Sequence, residues 1–302
     1  EEIMKRMWSV LGAGLIVGMA VTLLVSCNVV KGELTLLVDN KETSAYSPTW
    51  SSDGSKIFFV SSEDIHPPDN PGQVWSVNVP DGSLKQISQE EVWRIDISSA
   101  GDLCVTYLDG WIRLLDTQTW TQLDSLPVPE EFKEDWRNDF YAPRFSYESD
   151  QIIYYLYRLY SDSSYLHKVN LADSTDELIL AAERGSVFAP GPGDTLIALR
   201  DTIYNLNSQE RIPIDIPDDL IEFVYWNPAV PTELIISTGP HEDIFIFDIQ
   251  TQKADRIDTR STEAGWVGYA KFSPDGERIV FATLDAGGSW VVSRIWLFEP
   301  LD

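Results

Sequence analysis

The chain has 302 residues, 43% of them apolar, which is the composition of a folded chain with a sizeable core. Asp and Glu outnumber Lys and Arg 48 to 22, a formal net charge of −26. That balance excludes binding to nucleic acid, which needs cationic surface to displace counterions, and it favours basic protein partners or cations over anionic membrane surfaces.

In chain order, the first element is a targeting segment. Translation is expected to begin at Met4, after Glu1-Glu2-Ile3. Lys5 and Arg6 precede an uncharged apolar stretch from Met7 to Val25, the layout of an export signal. The stretch ends in Leu24-Val25-Ser26-Cys27. That quartet resembles the lipobox of bacterial lipoproteins, with Leu three residues before the Cys and a small residue directly before it. The resemblance implies a signal peptide over 1–26, cleavage before Cys27, and lipid on the Cys27 thiol and the new amine. An uncleaved membrane anchor is the competing reading, since the uncharged run suffices to span a core of ~30 Å. Either reading places residues 33–302 outside the cytoplasm. Asn28 follows the Cys where, by the same resemblance, an Asp would favour inner-membrane retention, so the expected address is the outer membrane, facing the periplasm. Residues 27–32 read as a tether with a reach of about 20 Å at ~3.4 Å per residue.

From Glu33 onward the chain repeats itself. Trp50-Ser51-Ser52-Asp53-Gly54 followed by Ile57-Phe58-Phe59 returns as Phe272-Ser273-Pro274-Asp275-Gly276 followed by Ile279-Val280-Phe281. Four weaker copies begin at Ile97, Phe145, Phe188 and Trp226, so anchors recur every roughly 38–48 residues, a period of propellers and solenoids. In each unit an apolar residue leads into a turn rich in Ser, Pro, Asp and Gly, and a β-branched or aromatic run follows. A third run ends in an Asx able to start the next turn: Asn78, Asp116, Asn170, Asn207 and Asp248. A fourth short run closes the unit, and four strands make one blade. The last unit stops after its third strand, near Ile295-Trp296-Leu297-Phe298, while an unassigned strand, Glu33–Val38, precedes the first unit. Pairing the two would close a ring and remove exposed edges. The predicted fold is therefore all-β: one domain over 33–302, a six-bladed β-propeller of four-stranded blades, sealed by its N-terminal strand.

The segments Tyr46-Ser47-Pro48-Thr49-Trp50-Ser51-Ser52-Asp53-Gly54 and Phe272-Ser273-Pro274-Asp275-Gly276-Glu277-Arg278-Ile279-Val280-Phe281 resemble the TolB-like propeller repeat, and Tyr141-Ala142-Pro143-Arg144-Phe145-Ser146 is a weaker copy. The resemblance implies a six-bladed propeller in the cell envelope acting as a docking platform. TolB itself carries a further N-terminal domain, for which the short tether leaves no room, so its particular role does not transfer.

Catalytic motifs are absent from the sequence: no Gly-x-Ser-x-Gly elbow, no phosphate-binding loop and no His-Glu-x-x-His. Cys104 reads as a buried inert thiol, and His167, on a third strand, as a packed sheet residue. Trp50, Trp226 and Trp296 read as packing between blades. Asp215, Asp218, Asp219 and Glu222 form an acidic turn without the spacing of a calcium loop. No cofactor and no metal ligand set is expected.

Loop length is the stronger signal. The long connections 61–72, 126–141, 158–164, 238–243 and 284–291 all fall on the face that carries the second-to-third strand loops and the blade-to-blade links. They hold the candidate binding residues Asp64, His66, Asp69, Glu130, Glu131, Trp136, Arg137, Tyr160, Asp162, His241, Glu242 and Trp290. Acids interleaved with aromatics suit a basic envelope protein, with a glycan as the other candidate. The leading expectation is a non-enzymatic docking propeller. The alternatives are a carbohydrate-binding propeller and a metal-dependent carbohydrate lyase or lactonase-like enzyme, the last resting on a resemblance to TolB-like propellers with a His-bound metal.

Overall fold

The computed structural model describes residues 28–39, 44–62, 71–128, 139–158, 163–183, 187–216, 220–239, 243–262, 266–284 and 293–301. Cys27 lies outside them. Blade one comprises β3 (Ser44–Trp50), β4 (Lys56–Ser62), β5 (Gly72–Asn78) and β6 (Leu84–Val92). Blade two comprises β7 (Ile95–Ile97), β8 (Leu103–Leu108), β9 (Trp111–Asp116) and β10 (Gln122–Pro127). Blade three comprises β11 (Asp139–Phe145), β12 (Ile152–Arg158), β13 (Ser163–Asn170) and β14 (Thr175–Glu183). Blade four is built of shorter strands, β15 (Phe188–Pro190), β16 (Leu196–Leu199), β17 (Thr202–Asn205) and β18 (Arg211–Pro213). Blade five comprises β19 (Ile221–Trp226), β20 (Glu233–Thr238), β21 (Ile244–Asp248) and β22 (Lys253–Ile257). Blade six takes β23 (Trp266–Phe272), β24 (Ile279–Leu284) and β25 (Ser293–Pro300) from the C-terminal end, and β2 (Gly32–Asp39) from the start of the described chain.

Within every blade the four strands follow one another in simple antiparallel order. The first strands touch their counterparts in both neighbouring blades all the way round, so they line a central channel and the ring is closed. The predicted seal is present: β2 runs antiparallel to β25, with Leu34 opposite Phe298 and Leu36 opposite Trp296. Residues 29–30, placed in a tether by the sequence reading, add a further strand. β1 (Val29–Val30) lies parallel to β22, with Val29 beside Arg256 and Val30 beside Ile257. The Arg256 amide donates to the Asn28 carbonyl at 2.9 Å, so the chain is tied to the outer edge of blade five before it enters blade six.

Each blade is covered on both faces by its neighbours, which is why the second strands carry unbroken apolar runs rather than alternation. Ile57, Phe58, Phe59 and Val60 are all buried, as are Ile153–Leu156, Leu234–Ile236 and Ile279–Ala282. Each such side chain contributes on the order of 1.5–3 kcal/mol by leaving water. Cys104 belongs to this core; it is fully buried, and burial, reinforced by the charge of Asp96, pushes its thiol far above the usual range. Among the described residues the only helices are two 3-10 turns, Pro192–Asp194 and Arg260–Thr262.

The quoted repeats are explained by the first-to-second strand turns. In blade one the Asp53 carboxylate accepts from the Ser51 hydroxyl at 2.7 Å and the Ser55 amide at 3.0 Å, and the Lys56 amide donates back to Ser51 Oγ at 2.9 Å. Gly54 takes the left-handed conformation, φ 67°, that the turn requires. Blade six repeats this with Ser273, Asp275, Gly276 and Arg278. Blade two lacks the acid, and Asp150 of blade three supplies it, accepting from the amides of Ser99 at 2.7 Å and Ala100 at 3.0 Å. Blade five uses Asn227, which accepts from the amides of Ala229 and Val230.

Blade four departs from the predicted register. In the other blades the residue after the anchor exchanges a backbone bond across the turn, as in Ser51 to Lys56 and Ser273 to Arg278. In blade four that residue is Gly191, bonded to Leu196, so Pro190 holds the anchor position and Phe188 sits two residues earlier. The third-strand Asx is likewise Asn205 rather than Asn207: Asn205 Oδ1 accepts from the amides of Asn207 and Ser208. A Gly-Pro-Gly turn replaces the Ser/Asp turn, and with no shared side-chain chemistry the apolar Phe188 was the nearest sequence match. Asp116, Asn170 and Asp248 cap the following turns as expected, whereas the Asn78 side-chain amide donates to Ser83 Oγ and Asp81 accepts from the Ser83 amide in that turn.

Candidate binding site in the central channel

Aligning the blades on that backbone bond shows which residue of each first strand faces the channel near the turn end. It is the one before the anchor: Thr49, Asp96, Arg144, Ala189, Tyr225 and Lys271, and all six line a cavity of about 360 Å³. Bulges in β3, β11, β19 and β23 shift the register just before this level and re-aim the side chains.

These side chains join blades that are not sequence neighbours. Lys271 Nζ donates to Asp96 Oδ1 at 3.0 Å and to Thr49 Oγ1 at 3.2 Å, tying blade six to blades two and one. The other Asp96 oxygen accepts from the Phe145 amide at 3.0 Å. The Arg144 guanidinium donates to the Val224 carbonyl at 2.6 Å and lies 3.8 Å from the centroid of the Tyr225 ring, joining blade three to blade five. Lys271 sits over the same ring at 4.5 Å. Both cations are buried, Arg144 9% and Lys271 6% exposed, and burial lowers the Arg144 pKa against the opposing influence of Tyr225 and Asp96.

Two residues back along β19 and β23, towards the long-loop end, stands an aromatic layer. Phe223 and Tyr269 have ring centroids 4.0 Å apart, with Tyr46 at 6.4 Å from Tyr269. Arg94 lies over Phe223 and Tyr269 at 5.7 and 5.5 Å. Glu222 accepts from the Trp266 indole at 2.8 Å, which gives that member of the acidic turn a structural partner. Of the rest of that turn, Asp215 is exposed, and Asp218 and Asp219 lie outside the described residues.

The rim of the cavity is made of the short turns, and these clasp one another. The Ser146 hydroxyl donates to Asp194 at 2.6 Å, the Gly193 amide to Glu148 at 2.7 Å, and Arg278 reaches the Gly54 carbonyl at 3.2 Å. The anchor tryptophans add inter-blade bonds: Trp50 donates to the Lys271 carbonyl and Trp226 to the Ala189 carbonyl, each on the preceding blade. Trp296 differs, because its indole bonds Thr283 within blade six.

The sequence-stated binding residues Asp64, His66, Asp69, Glu130, Glu131, Trp136, Arg137, Tyr160, Asp162, His241, Glu242 and Trp290 all lie outside the described residues, as does the lipidation candidate Cys27. His167 is a packed sheet residue: its ring stacks on Tyr155 at 5.0 Å and its Nδ1 lies 2.8 Å from Asp176. The channel residues were not singled out from the sequence. Their signal was a charged or polar residue one place before the anchor in every blade but the fourth, where it is Ala189.

Among the described residues no group of three or more His, Cys, Asp or Glu is placed to share a metal ion. At the cavity a single carboxylate, Asp96, stands among Lys271 and Arg144, a donor set that repels a divalent cation rather than holding one.

No protein-family model matches the chain, and comparison with curated proteins gives no match. Solved structures do resemble it. A luciferin-regenerating enzyme superposes with a TM-score of 0.61 at 10% identity, covering 90% of this chain and 96% of its own. A calcium-binding protein, regucalcin, from Agrobacterium tumefaciens str. C58 gives 0.61 at 10% identity, with 91% and 98% covered. A chain of a mitotic checkpoint complex gives 0.55 at 12% identity, with 91% and 93% covered. At these identities the likeness establishes the propeller fold and no activity.

Proposed function

We propose that this protein is a non-enzymatic cell-envelope lipoprotein whose TolB-like propeller is a rigid docking platform for another envelope protein. The observation that carries the reading is the use of the channel position. In most propeller blades here it is spent on ties between blades, Lys271 to Asp96 and Thr49 and Arg144 to Val224, and none of these residues forms a nucleophile–base pair. A scaffold locked in this way presents its loops without rearrangement, which lowers the entropic cost of binding. The same fold occurs as a chain of the mitotic checkpoint complex, an assembly.

In this reading the lipid sits on Cys27, next to Asn28, whose carbonyl is held by blade five. The anchor therefore leaves from a fixed point on the rim, and the body stays close to the bilayer. The long-loop face, with Glu130, Glu131 and Trp136 among its residues, meets a partner rich in Lys and Arg, in keeping with the net charge of −26.

The test is crosslinking in cells, with mass spectrometry of the captured proteins. A specific envelope partner is expected, captured at least fivefold less by the triple variant Glu130→Lys, Glu131→Lys, Trp136→Ala. Capture that the variant leaves unchanged overturns the face assignment. Cys27→Ser is expected to abolish incorporation of labelled palmitate and release the chain from membranes.

A further inference from the structure

The channel carries charge opposite to the rest of the chain. Against an overall −26, the cavity is lined by Arg144 and Lys271 with Asp96 as its one carboxylate. Lys271 is neutralised by Asp96, whose second oxygen is occupied by the Phe145 amide. Arg144 is left over. Among the described residues no carboxylate lies within ion-pair distance of it; its guanidinium donates to a neutral acceptor, the Val224 carbonyl, and its other polar neighbour is the side chain of Tyr225. A guanidinium has five N–H donors in a planar fork that matches a carboxylate two bonds at a time. Burying such a charge to 9% exposure is costly; Asp96, already paired to Lys271, and stacking on Tyr225 offset only part of it. The missing partner is an anion.

The cavity has room for one. Its 360 Å³ falls within the range of small-molecule sites, and its lining joins the aromatic side chains of Trp50, Phe145, Tyr147, Tyr225, Trp226 and Phe272 with serine hydroxyls. It lies where the short turns meet. We infer that this funnel is a binding site for a small organic carboxylate, its carboxylate seated on Arg144 with Lys271 alongside and its apolar body against the aromatic wall. The site does not depend on the docking reading, because none of its lining residues belongs to the candidate docking loops.

Trp50 and Trp226 line the funnel and serve as reporters. The full-length chain is titrated with benzoate at constant ionic strength, with benzyl alcohol as its uncharged counterpart, inorganic phosphate as a second anion and chloride as the background. Benzoate is expected to give a saturable fluorescence change and to raise the thermal midpoint, while benzyl alcohol does neither. Arg144→Met is expected to weaken benzoate at least tenfold, and the exposed-site control Lys253→Met to leave it unchanged. Should Arg144→Met fail to fold, Arg144→Lys keeps the charge but loses the planar fork, and at least fivefold weaker binding is expected. No saturable response to benzoate, equal binding by the folded Arg144 variant, or tighter binding of phosphate than of benzoate overturns the assignment.

Discussion

Lys271 Nζ lies 3.0 Å from Asp96 Oδ1, so an ion pair between the last blade and the second crosses the channel. The two residues are far apart in sequence and on blades separated by blade one. Both are largely withdrawn from solvent, with side chains 8% and 19% exposed. Removing one partner of such a pair strands the other. Asp96→Ala is expected to lower the unfolding free energy by about 3 kcal/mol, since it leaves the buried Lys271 without its counter-charge, with only Thr49 Oγ1 to accept from it, and the Phe145 amide without its acceptor. The double variant Asp96→Ala, Lys271→Met is expected to recover part of that loss, giving a coupling of about 1 kcal/mol or more in a double-mutant cycle. Urea unfolding of the four proteins measures it, and strictly additive losses would mean the pair is not coupled.

The outer half of blade three supplies a pH-dependent term. Asp176 accepts from the Tyr155 hydroxyl at 2.6 Å and lies 2.8 Å from His167 Nδ1. Partial burial opposes ionisation of Asp176, but the bonds from His167 and Tyr155 outweigh it and hold the carboxyl below its ordinary value. A carboxyl depressed in the fold stabilises fully above its unfolded pKa, about 3.9, and loses that contribution as pH falls through the folded value. The Asp176 side chain is 43% exposed, so solvent screening keeps the effect modest. The stability gap between the natural chain and Asp176→Asn is expected to shrink as the pH falls below about 4. Urea midpoints at pH 6, 5, 4 and 3.5 test this, and parallel curves would assign the acid limb to other groups.

The architecture was readable because two devices recur in the sequence as fixed residue patterns. The Ser-x-Asp-Gly turn reverses the first strand into the second in blades one and six, which carry it intact. The seal was readable because the last unit lacked its fourth strand while a spare strand, Glu33–Val38, preceded the first unit, and pairing them removes two edges. Blade four was misregistered by two residues because Gly191-Pro192-Gly193 makes the turn from backbone geometry and leaves no side-chain signature. The pairing of Val29 and Val30 with β22 was hidden because two residues carry no periodicity. The channel set was hidden for a different reason. Thr49, Asp96, Arg144, Ala189, Tyr225 and Lys271 share a position and no chemistry, since donor, acceptor and ring must complement one another across the channel. A repeat search rewards sameness, whereas a ring of interlocking ties is built from differences.

The clasped rim can be separated from ordinary turn chemistry by two glycines. Gly101, in the first-to-second strand turn of blade two, has φ 82°, and Gly82, between β5 and β6, has φ 66°. Both backbones are left-handed, where any other residue costs about 1–2 kcal/mol. Their surroundings differ. A Cβ on Gly82 meets nothing within 4 Å, whereas a Cβ on Gly101 would collide with the side chain of Ser52 on blade one. Gly82→Ala therefore isolates the backbone cost, and Gly101→Ala adds the disturbance of the contact between blades one and two. The second variant is expected to lose at least about 1 kcal/mol more than the first in urea unfolding, consistent with overpacking of a closed contact. If the turns met only through solvent, Ser52 would swing aside freely and the two variants would lose the same amount.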